Sequence, residues 1–280
     1  SPDDSVLSRL SRSGVRTTLE QARWLLEEGV DWSHCGVLEH RTDGTPGLSA
    51  DWHTGPGAAW SQAASAQTLT QVGLPATTTA CWHVQAGWIR PQRLATALLA
   101  QPGVEWQGDS RVATLRRIES DPTQGLPAAW TWQALDAQGN ILAEAPTVVI
   151  AAGAGSLQLL EHRWPLQPVR GQISWGVTDD LAAPASAPKP SAAVESIESI
   201  TPVKPVTPVT PVPRLAPLAP FPVNGNGNLV PHFAQDGGIS GWVMGSTFER
   251  DVDTLPPSPT DMRAAHAANW AKLQVLLPDV

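Results

Sequence analysis

The 280-residue chain contains no tyrosine, three phenylalanines and only two cysteines. Cys35 and Cys81 do not form a CxxC pair, so the sequence predicts neither a disulfide framework nor a zinc site. We expect both thiols to be buried and unreactive, and we expect no metal ion. The aromatic content comes mainly from thirteen tryptophans. Those expected to pack in a core are Trp24, Trp60, Trp130 and Trp132.

The sequence also lacks a signal-peptide pattern and any hydrophobic run long enough to cross a bilayer, which predicts a cytoplasmic protein with no membrane partner. A formal net charge of −8 argues against a broad electropositive surface. Positive charge is concentrated locally, because Arg9, Arg12, Arg16 and Arg23 recur at spacings that align them on one side of a helix. Such a stripe is either a phosphate-binding face or an ordinary solvated face, and the solvated face is the commoner case.

The most informative segment is the run from Thr147 to Ala152, which Gly153-Ala154-Gly155-Ser156 follows. An apolar, β-branched run that ends in Ala and Gly predicts a buried strand whose last turn admits a backbone or a flat cofactor at close range. Side chains larger than methyl after Ile150 would hold a ligand away from the strand end. The alternative is an ordinary strand-to-helix corner in which glycine serves the turn.

The remaining pattern predicts an α+β protein in which helices are followed by strands. Prolines at helix starts, apolar spacings and turn residues set the limits of these elements. The predicted helices run from Thr17 or Thr18 to Gly29, from Ala58 to Ala66 and from Pro91 to Ala100. The predicted strands are Gly36–Glu39, Val104–Trp106, Val112–Ile118, Trp130–Leu135, Ile141–Ala143, Gln172–Val177 and Leu229–Phe233. A turn at Gln138-Gly139-Asn140 predicts a hairpin.

Residues 178–222 change composition to Pro, Ala, Ser, Thr and Val. So many prolines exclude helices and central strands and favour extended polyproline II structure, so we expect a disordered or projecting insertion. It is either a docking tract for a proline-recognising partner or a tolerated surface loop, the commoner case. The sequence therefore predicts three parts. Residues 1–177 contain interleaved segments of two structural layers, and residues 178–222 form the insertion. Residues 223–280 add strands and a helix to the second layer.

Four motifs, taken in order, carry a resemblance to a known family. Gly87-Trp88-Ile89-Arg90-Pro91 comes first, followed by the run from Thr147 to Ala154, by Pro168-Val169-Arg170-Gly171-Gln172, and by Asn228–Pro231 with Gly241–Glu249. In this order the chain resembles the flavin-dependent amine oxidases of the D-amino-acid oxidase family, over nearly all residues outside the proline-rich stretch. The resemblance implies an α+β or α/β fold of D-amino-acid-oxidase type, with an incomplete FAD-binding layer and a mixed-sheet substrate domain.

A narrower likeness is to the oxidoreductase half of the bifunctional proteins that make 5-methylaminomethyl-2-thiouridine in tRNA. It rests on Asp3-Asp4-Ser5 with Leu10–Gly14, on the Cys35–Leu38 segment and on Ala86–Pro91. The likeness implies FAD-dependent removal of the carboxymethyl group from 5-carboxymethylaminomethyl-2-thiouridine at the tRNA wobble position. FAD would take a hydride from the carbon beside the nitrogen, and water would hydrolyse the imine and release glyoxylate. It also implies tRNA as a partner and a methyltransferase domain in the same parent chain.

The resemblance further implies which residues form the site. The residues implied beside FAD are Val112, Ala151, Ala152, Gly153 and Ala154. Those implied on the substrate side are Trp88, Arg170, Gly171, Gln172 and His232. Arg170 would pair either with the substrate carboxylate or with a structural carboxylate, and the structural role is favoured. A lone histidine such as His232 is more often structural, and no catalytic base is assigned.

Two elements of the family are missing from this sequence. It has no GxGxxG turn to hold the ADP part of FAD and no closing RP-type segment, and it does not begin with Met. We therefore expect an internal fragment or a truncated product of a longer flavoprotein. Two alternative functions remain: oxidation of a small amino acid such as glycine, which would share these motifs, and an inactive fragment that only binds through its proline-rich tract.

Overall fold

A computed structural model describes residues 5–40, 42, 48, 52, 54–119, 130–161, 163–177, 218–234 and 240–278. Most of the predicted insertion, 178–217, lies outside these residues. The chain divides into two compact units. Unit 1 comprises the residues up to Ala97, Ile173–Ser246 and the residues from Ala264 onward, and unit 2 comprises Leu98–Gln172 and Thr247–Arg263. No helix in the described ranges has the length and apolar character needed to cross a membrane.

The helices only partly follow the predicted limits. They are α1 (Val6–Leu25), α2 (Ala66–Thr70), α3 (Pro91–Leu99), α4 (Ser156–Leu159), which follows a 3₁₀ turn at Gly153–Gly155, and α5 (Pro259–Leu276). The start of α3 at Pro91 is confirmed, whereas α1 begins well before Thr17. Ser5 caps α1, since its Oγ accepts a hydrogen bond from the Ser8 amide at 3.2 Å. Serines and Gly14 interrupt the apolar spacing, which hid this start from the sequence pattern.

The strands account for most of the remaining regular structure. They are β1 (Trp32–Ser33), β2 (Val37–His40), β3 (Ser61–Ala63), β4 (Ala80–His83), β5 (Trp88–Ile89), β6 (Thr114–Glu119), β7 (Trp130–Leu135), β8 (Ile141–Ala145), β9 (Val169–Arg170), β10 (Ile173–Val177), β11 (Val223–Gly225), β12 (Gly227–Ala234), β13 (Ser240–Gly245) and β14 (Glu249–Arg250). The predicted strands that became β2, β6, β7, β8, β10 and β12 are thus confirmed, with small changes of limits.

Two predicted elements between residues 58 and 106 were wrong. The predicted helix over 58–66 is replaced by a turn and by β3, which pairs with β4. The Trp52 indole donates to the Ser61 carbonyl oxygen at 2.7 Å, and this buried contact favours the strand over the helix. Residues 104–106 form no strand and pair with no described strand; the Val104 amide instead donates to the Gln101 carbonyl oxygen at 3.1 Å.

A seven-stranded mixed sheet is the main feature of unit 1. Its strand order is β10-β13-β12-β11-β2-β4-β3. Neighbouring strands are antiparallel, except that β11 runs parallel to β2, with Val223 opposite Leu38. A separate two-stranded pair, β1 with β5, belongs to the same unit. The mixed sheet that the resemblance implies is therefore present.

The core of unit 1 lies on this sheet and against α5. Its buried members are Leu38, Leu69, Val72, Leu74, Ala80, Leu218, Ala219, Phe221, Val223, Leu229, Met244, Leu273, Leu276 and Leu277. Three of these, Leu218, Ala219 and Phe221, fall within the last residues of the predicted insertion, so core packing resumes before residue 223. Cys81 is also buried, and burial raises the pKa of the half-buried Cys35 thiol.

Two tryptophans predicted to pack in a core lie at the surface instead. Trp24 near the end of α1 is 88% exposed, and Trp130 at the start of β7 is also exposed. Trp60 and Trp132 are partly buried. The prediction was wrong for Trp24 and Trp130, and the exposed ring of Trp130 has the Arg117 guanidinium 4.0 Å from its centre.

Unit 2 is built on a three-stranded antiparallel sheet, β6-β7-β8, and a short pair of β9 with β14. The predicted hairpin at Gln138-Gly139-Asn140 joins β7 to β8 and is confirmed. Asp136 organises this turn, since its carboxylate accepts hydrogen bonds from the amides of Gln138 (2.9 Å) and Asn140 (2.8 Å) and from the Asn140 side chain (2.8 Å). Such an Asp-centred turn satisfies the backbone locally.

These hydrogen bonds, first of all the one from the Asn140 side chain, hold the pKa of Asp136 below its ordinary value. A depressed pKa in the folded state means that the contribution of Asp136 to stability is present above its ordinary pKa and is lost as pH falls through the lowered value. We expect an NMR titration of the Asp136 carboxyl carbon to show this lowered pKa. Asn140→Ala should move it back up, and an unchanged pKa in that variant would contradict the assignment.

Candidate functional site

The segment implied beside FAD is at the surface of unit 2. Residues 147–152 form no strand, and no strand among the described residues pairs with them. Val149 is 86% exposed. The prediction of a buried strand was therefore wrong for this structure, because a β-branched run records a preference for burial but does not supply the neighbouring strand that burial needs.

The small residues that follow could accept a flat ligand on one side only. Ala151, Ala152, Gly153 and Ala154 are exposed, and Val112 is partly buried. Gly153 has a φ of +54°, and a Cβ there would meet no described atom within 4 Å. These residues offer open backbone, but the GxGxxG turn is absent from the sequence. They fit one wall of an FAD site and do not enclose the cofactor, so no catalytic step is assigned to them.

Arg170 lies at the centre of an ionic network in unit 2. Its side chain is only 11% exposed and forms ion pairs with Glu249 and with Asp261, the latter at 3.3 Å. It also donates to the Thr254 carbonyl oxygen at 3.2 Å. The pairing of β9 with β14 places Arg170 opposite Glu249. Both carboxylates belong to the protein, so the guanidinium has structural partners in this arrangement.

The hydrogen bonds and ion pairs of this network shift the pKa values of Arg170 and Asp261 in the directions that keep both groups charged. The hydrogen bond to Glu249 is the main reason that the pKa of Arg170 is raised. Hydrogen bonds from Ser258, followed by Arg170, hold the pKa of Asp261 below its ordinary value. Because folding lowers the pKa of Asp261, its carboxylate stabilises the folded protein at pH values above the ordinary pKa. This contribution is lost as pH falls through the lowered pKa.

We expect Arg170→Gln to lower the melting temperature more than Arg163→Gln does. Arg170→Gln leaves two carboxylates without their shared cation, whereas Arg163 is exposed and, among the described residues, forms an ion pair with the exposed Glu161. Thermal melts followed by circular dichroism at neutral and acidic pH measure the difference. The gap between wild type and Arg170→Gln should narrow in acid, because the wild type also loses the ion pair there. Equal melting temperatures for the two variants at neutral pH would contradict the network.

Gly171 and Gln172 continue directly from Arg170. The Gln172 amide donates to Thr247 Oγ1 at 3.0 Å, the Thr247 amide donates to the Gln172 carbonyl oxygen at 3.1 Å, and the Gln172 side chain donates to the Met262 carbonyl oxygen at 3.2 Å. The structure thus brings Arg170, Gly171 and Gln172 together with Thr247. Their substrate contacts stay a prediction.

Trp88 and His232 are both in unit 1, on different sheets. Trp88 in β5 is partly buried and pairs with Ser33 of β1. His232 lies at an irregularity in β12, has a φ of +52° and donates from Nε2 to the Leu218 carbonyl oxygen at 3.0 Å. The structure therefore places these two residues in separate elements, and their substrate contacts also stay a prediction.

Sequence reasoning missed a hydrogen-bonded series across three strands of unit 1. His83 Nε2 donates to Glu39 Oε2 at 2.8 Å, and His83 Nδ1 lies 2.7 Å from Ser61 Oγ. The residue types match those of a hydrolase triad, but Ser61 is only 6% exposed, and a nucleophile must be open to its substrate. The series therefore ties β2, β4 and β3 together. Its members are far apart in sequence, so only the strand register could reveal it.

A polar pocket of about 450 Å³ lies beside this series. It is lined by Glu39, His40, Thr42, Asn224, Gly225, Asn226 and Asn228. The pocket sits where the parallel strands β2 and β11 end, the edge at which mixed and parallel sheets often bind ligands. Within the described ranges no cluster of three or more His, Cys, Asp or Glu residues could hold a metal ion.

A family model described as FAD dependent oxidoreductase (DAO) matches residues 2–280 of this chain. Two similar relatives are tRNA 5-methylaminomethyl-2-thiouridine biosynthesis bifunctional proteins MnmC. The one from Verminephrobacter eiseniae is 58% identical over 284 residues, which cover 99% of this chain and 40% of that protein. The one from Delftia acidovorans is 51% identical over 292 residues, with the same two coverages. The chain thus spans about 40% of the length of these curated relatives.

Among solved structures, glycine oxidase from Bacillus cereus has a similar fold, with a TM-score of 0.61. The match covers 99% of this chain and 67% of that one, at 14% sequence identity. At this identity the likeness concerns the fold alone, and it agrees with the mixed sheet of unit 1.

Proposed function

Because this chain belongs to the FAD dependent oxidoreductase (DAO) family over residues 2–280, we propose that it is part of an oxidase acting on the tRNA wobble uridine. The proposed reaction removes the carboxymethyl group from 5-carboxymethylaminomethyl-2-thiouridine and leaves the aminomethyl base. The observation that carries this proposal is the 58% identity to the Verminephrobacter relative over 99% of the chain. Identity at that level, spread over both units, favours a shared substrate as well as a shared fold.

The exposed segment 147–154 supports a division of labour within a longer protein. Its β-branched run is suited to a sheet, yet no described strand pairs with it. We propose that a strand from the part of the protein beyond these 280 residues pairs with this run and completes the FAD site. Pairing would cover Val149 and place the open backbone at Gly153 beside the cofactor.

In this proposal the cofactor and the chain contribute different parts of the reaction. FAD, when bound, supplies the oxidation of the carbon–nitrogen bond. The chain orients the amine and its carboxylate, and water hydrolyses the resulting imine to the primary amine and glyoxylate. Arg170 remains with Glu249 and Asp261, so it holds β9 and β14 in place and leaves carboxylate binding to other groups.

The proposed substrate also implies partners. tRNA would be bound by the longer protein, in the cytoplasm. A methyltransferase domain in the same parent chain would act on the newly formed amine, which fits the word bifunctional in the names of the relatives.

A segment exchange tests the proposal. The 280 residues of this chain replace the matching segment of the Verminephrobacter protein, and the chimera is produced in cells that lack their own enzyme of this kind. We expect the purified chimera to carry FAD, seen in its visible spectrum, and the tRNA of these cells to lose 5-carboxymethylaminomethyl-2-thiouridine, measured by mass spectrometry of nucleosides. The unaltered Verminephrobacter protein is the positive control.

The spectrum and the nucleoside analysis separate the outcomes of this exchange. A chimera that carries FAD but leaves the wobble nucleoside unconverted would overturn the proposed substrate. If the same chimera oxidised free glycine, the small-amino-acid alternative would take its place. A chimera without FAD, beside a positive control that carries it, would overturn the proposed role of the segment 147–154.

A further inference from the structure

We propose that the outer face of α1 binds the phosphate backbone of tRNA through an arginine ridge made of Arg9, Arg16 and Arg23. This inference rests on the proposed function for the identity of the polyanion. The three arginines are seven residues apart within one continuous helix, Val6–Leu25, and all three are exposed. Seven residues make nearly two turns, so the side chains line up along about 21 Å of the helix.

The ridge is distinct from the face through which α1 packs. Ser8 and Ala22 are the buried residues of the helix. Ser8 and Ala22 lie on the inner side by helical phase, while the ridge projects from a neighbouring face. Arg23 is held in place because its guanidinium lies 5.8 Å from the ring centre of Trp32, a buried residue. A cation fixed by an aromatic ring loses less side-chain entropy when it binds a phosphate.

The charge distribution favours a polyanionic partner. The chain has 18 Lys and Arg against 26 Asp and Glu, yet α1 carries four arginines and a single acid, Glu20. A face that only solvates an acidic protein would mix both signs. All four cations of α1 are arginines, whose planar guanidinium matches phosphate oxygens in a bidentate way.

An exposed indole beside the ridge strengthens this interpretation. Trp24 follows Arg23 directly and is 88% exposed, which leaves its ring faces open. A row of arginines with an open aromatic ring at its end is the kind of surface that can follow a nucleic-acid backbone and stack on an unpaired base. A lipid surface would also attract such a helix, so the test includes it as a competing outcome.

Binding of a fluorophore-labelled tRNA transcript to the full-length chimera of the segment exchange, taken as the wild type here and followed by anisotropy at several salt concentrations, tests the inference. The ridge variant is Arg9→Gln/Arg16→Gln/Arg23→Gln. Its matched control is Arg163→Gln/Arg250→Gln/Arg263→Gln, which removes three exposed arginines of unit 2 and the same net charge. Circular dichroism checks that each variant retains the wild-type helix content.

We expect the ridge variant to bind tRNA about tenfold or more weakly at 0.1 M salt, with a salt slope lowered by roughly two. The control variant should bind as the wild type does. Glu20→Gln removes the acid between Arg16 and Arg23, so it should tighten binding and steepen the slope, an effect that misfolding cannot imitate.

Other results would overturn the inference. It would be overturned if the ridge and control variants lost tRNA affinity equally, if the wild type did not bind tRNA, or if Glu20→Gln did not raise tRNA affinity. Ridge-dependent binding to phosphatidylserine vesicles without binding to tRNA would also overturn it. The segment exchange reads nucleoside conversion, whereas this experiment reads affinity. If the wobble nucleoside is converted but tRNA affinity does not depend on the ridge, only the ridge inference is wrong. If tRNA affinity depends on the ridge but the nucleoside is not converted, only the oxidase proposal is wrong.

Discussion

Gly87→Ala is expected to separate β1 from β5 and to destabilise unit 1 by about 3 kcal/mol. A Cβ at position 87 would lie 1.9 Å from the Ser33 carbonyl oxygen and 3.0 Å from its carbonyl carbon. Both atoms are backbone, so the clash cannot be relieved by turning a side chain. The pairing of Ser33 with Trp88 would have to open, and Trp88 would leave its present position.

Urea denaturation and amide hydrogen exchange measure this effect. The Gly87→Ala variant should show a lower midpoint and faster exchange of the amides of β1 and β5. Gly14→Ala is the matched control, because a Cβ there meets no described atom within 4 Å in the middle of α1. That control should be stabilising by roughly 0.5–1 kcal/mol, since alanine favours a helix interior over glycine. Wild-type stability in Gly87→Ala would show that the two backbones are not in contact.

Leu38→Ala should destabilise unit 1 by about 2–5 kcal/mol, the usual cost of a large cavity in a packed core. Leu38 is 0% exposed and lies in β2, between Trp82 of β4 and Val223 of β11. Three strands meet at this position, so the surrounding backbone is poorly able to collapse into the cavity. We expect a lower urea midpoint with an unchanged slope.

Leu255→Ala is the control for this cavity. Leu255 is 75% exposed, so its truncation should change the free energy of unfolding by less than about 0.5 kcal/mol. If both leucine variants shifted the midpoint equally, the assignment of Leu38 to the core would be wrong.

The difference between prediction and structure is clearest where a pattern needs a partner. Local signals were sufficient for α3, which starts at Pro91, and for the hairpin that Asp136 and Gly139 form. These elements satisfy their backbone within a few residues, so a short sequence window contains their causes. The region of β3 was mispredicted as a helix because its partner strand β4, in which His83 contacts Ser61, lies about 20 residues further along the chain than a short window includes.

The candidate site shows the same limit. The order of the Gly87–Pro91, Thr147–Ala154 and Arg170–Gln172 motifs was sufficient to indicate the family that the whole-chain match shows. The sequence could not reveal that Arg170 faces both Glu249 and Asp261, because this depends on the register of β9 with β14 and on the start of α5. The sequence also could not reveal that, among the residues the structure describes, no strand pairs with residues 147–152.

By itself the sequence determined the family through the order of its motifs, and it determined the start of α3 and the hairpin turn through residues close to them. The structure decided that Arg9 and Arg16 share one helix with Arg23, because the predicted helix began only at Thr17 or Thr18. Only the tertiary structure decided which apolar residues are buried and which charges meet. Burial of Leu38 and exposure of Trp24 depend on whether another element arrives to cover the side chain. That is a property of long-range pairing, whose energy comes from neighbours that are distant in sequence.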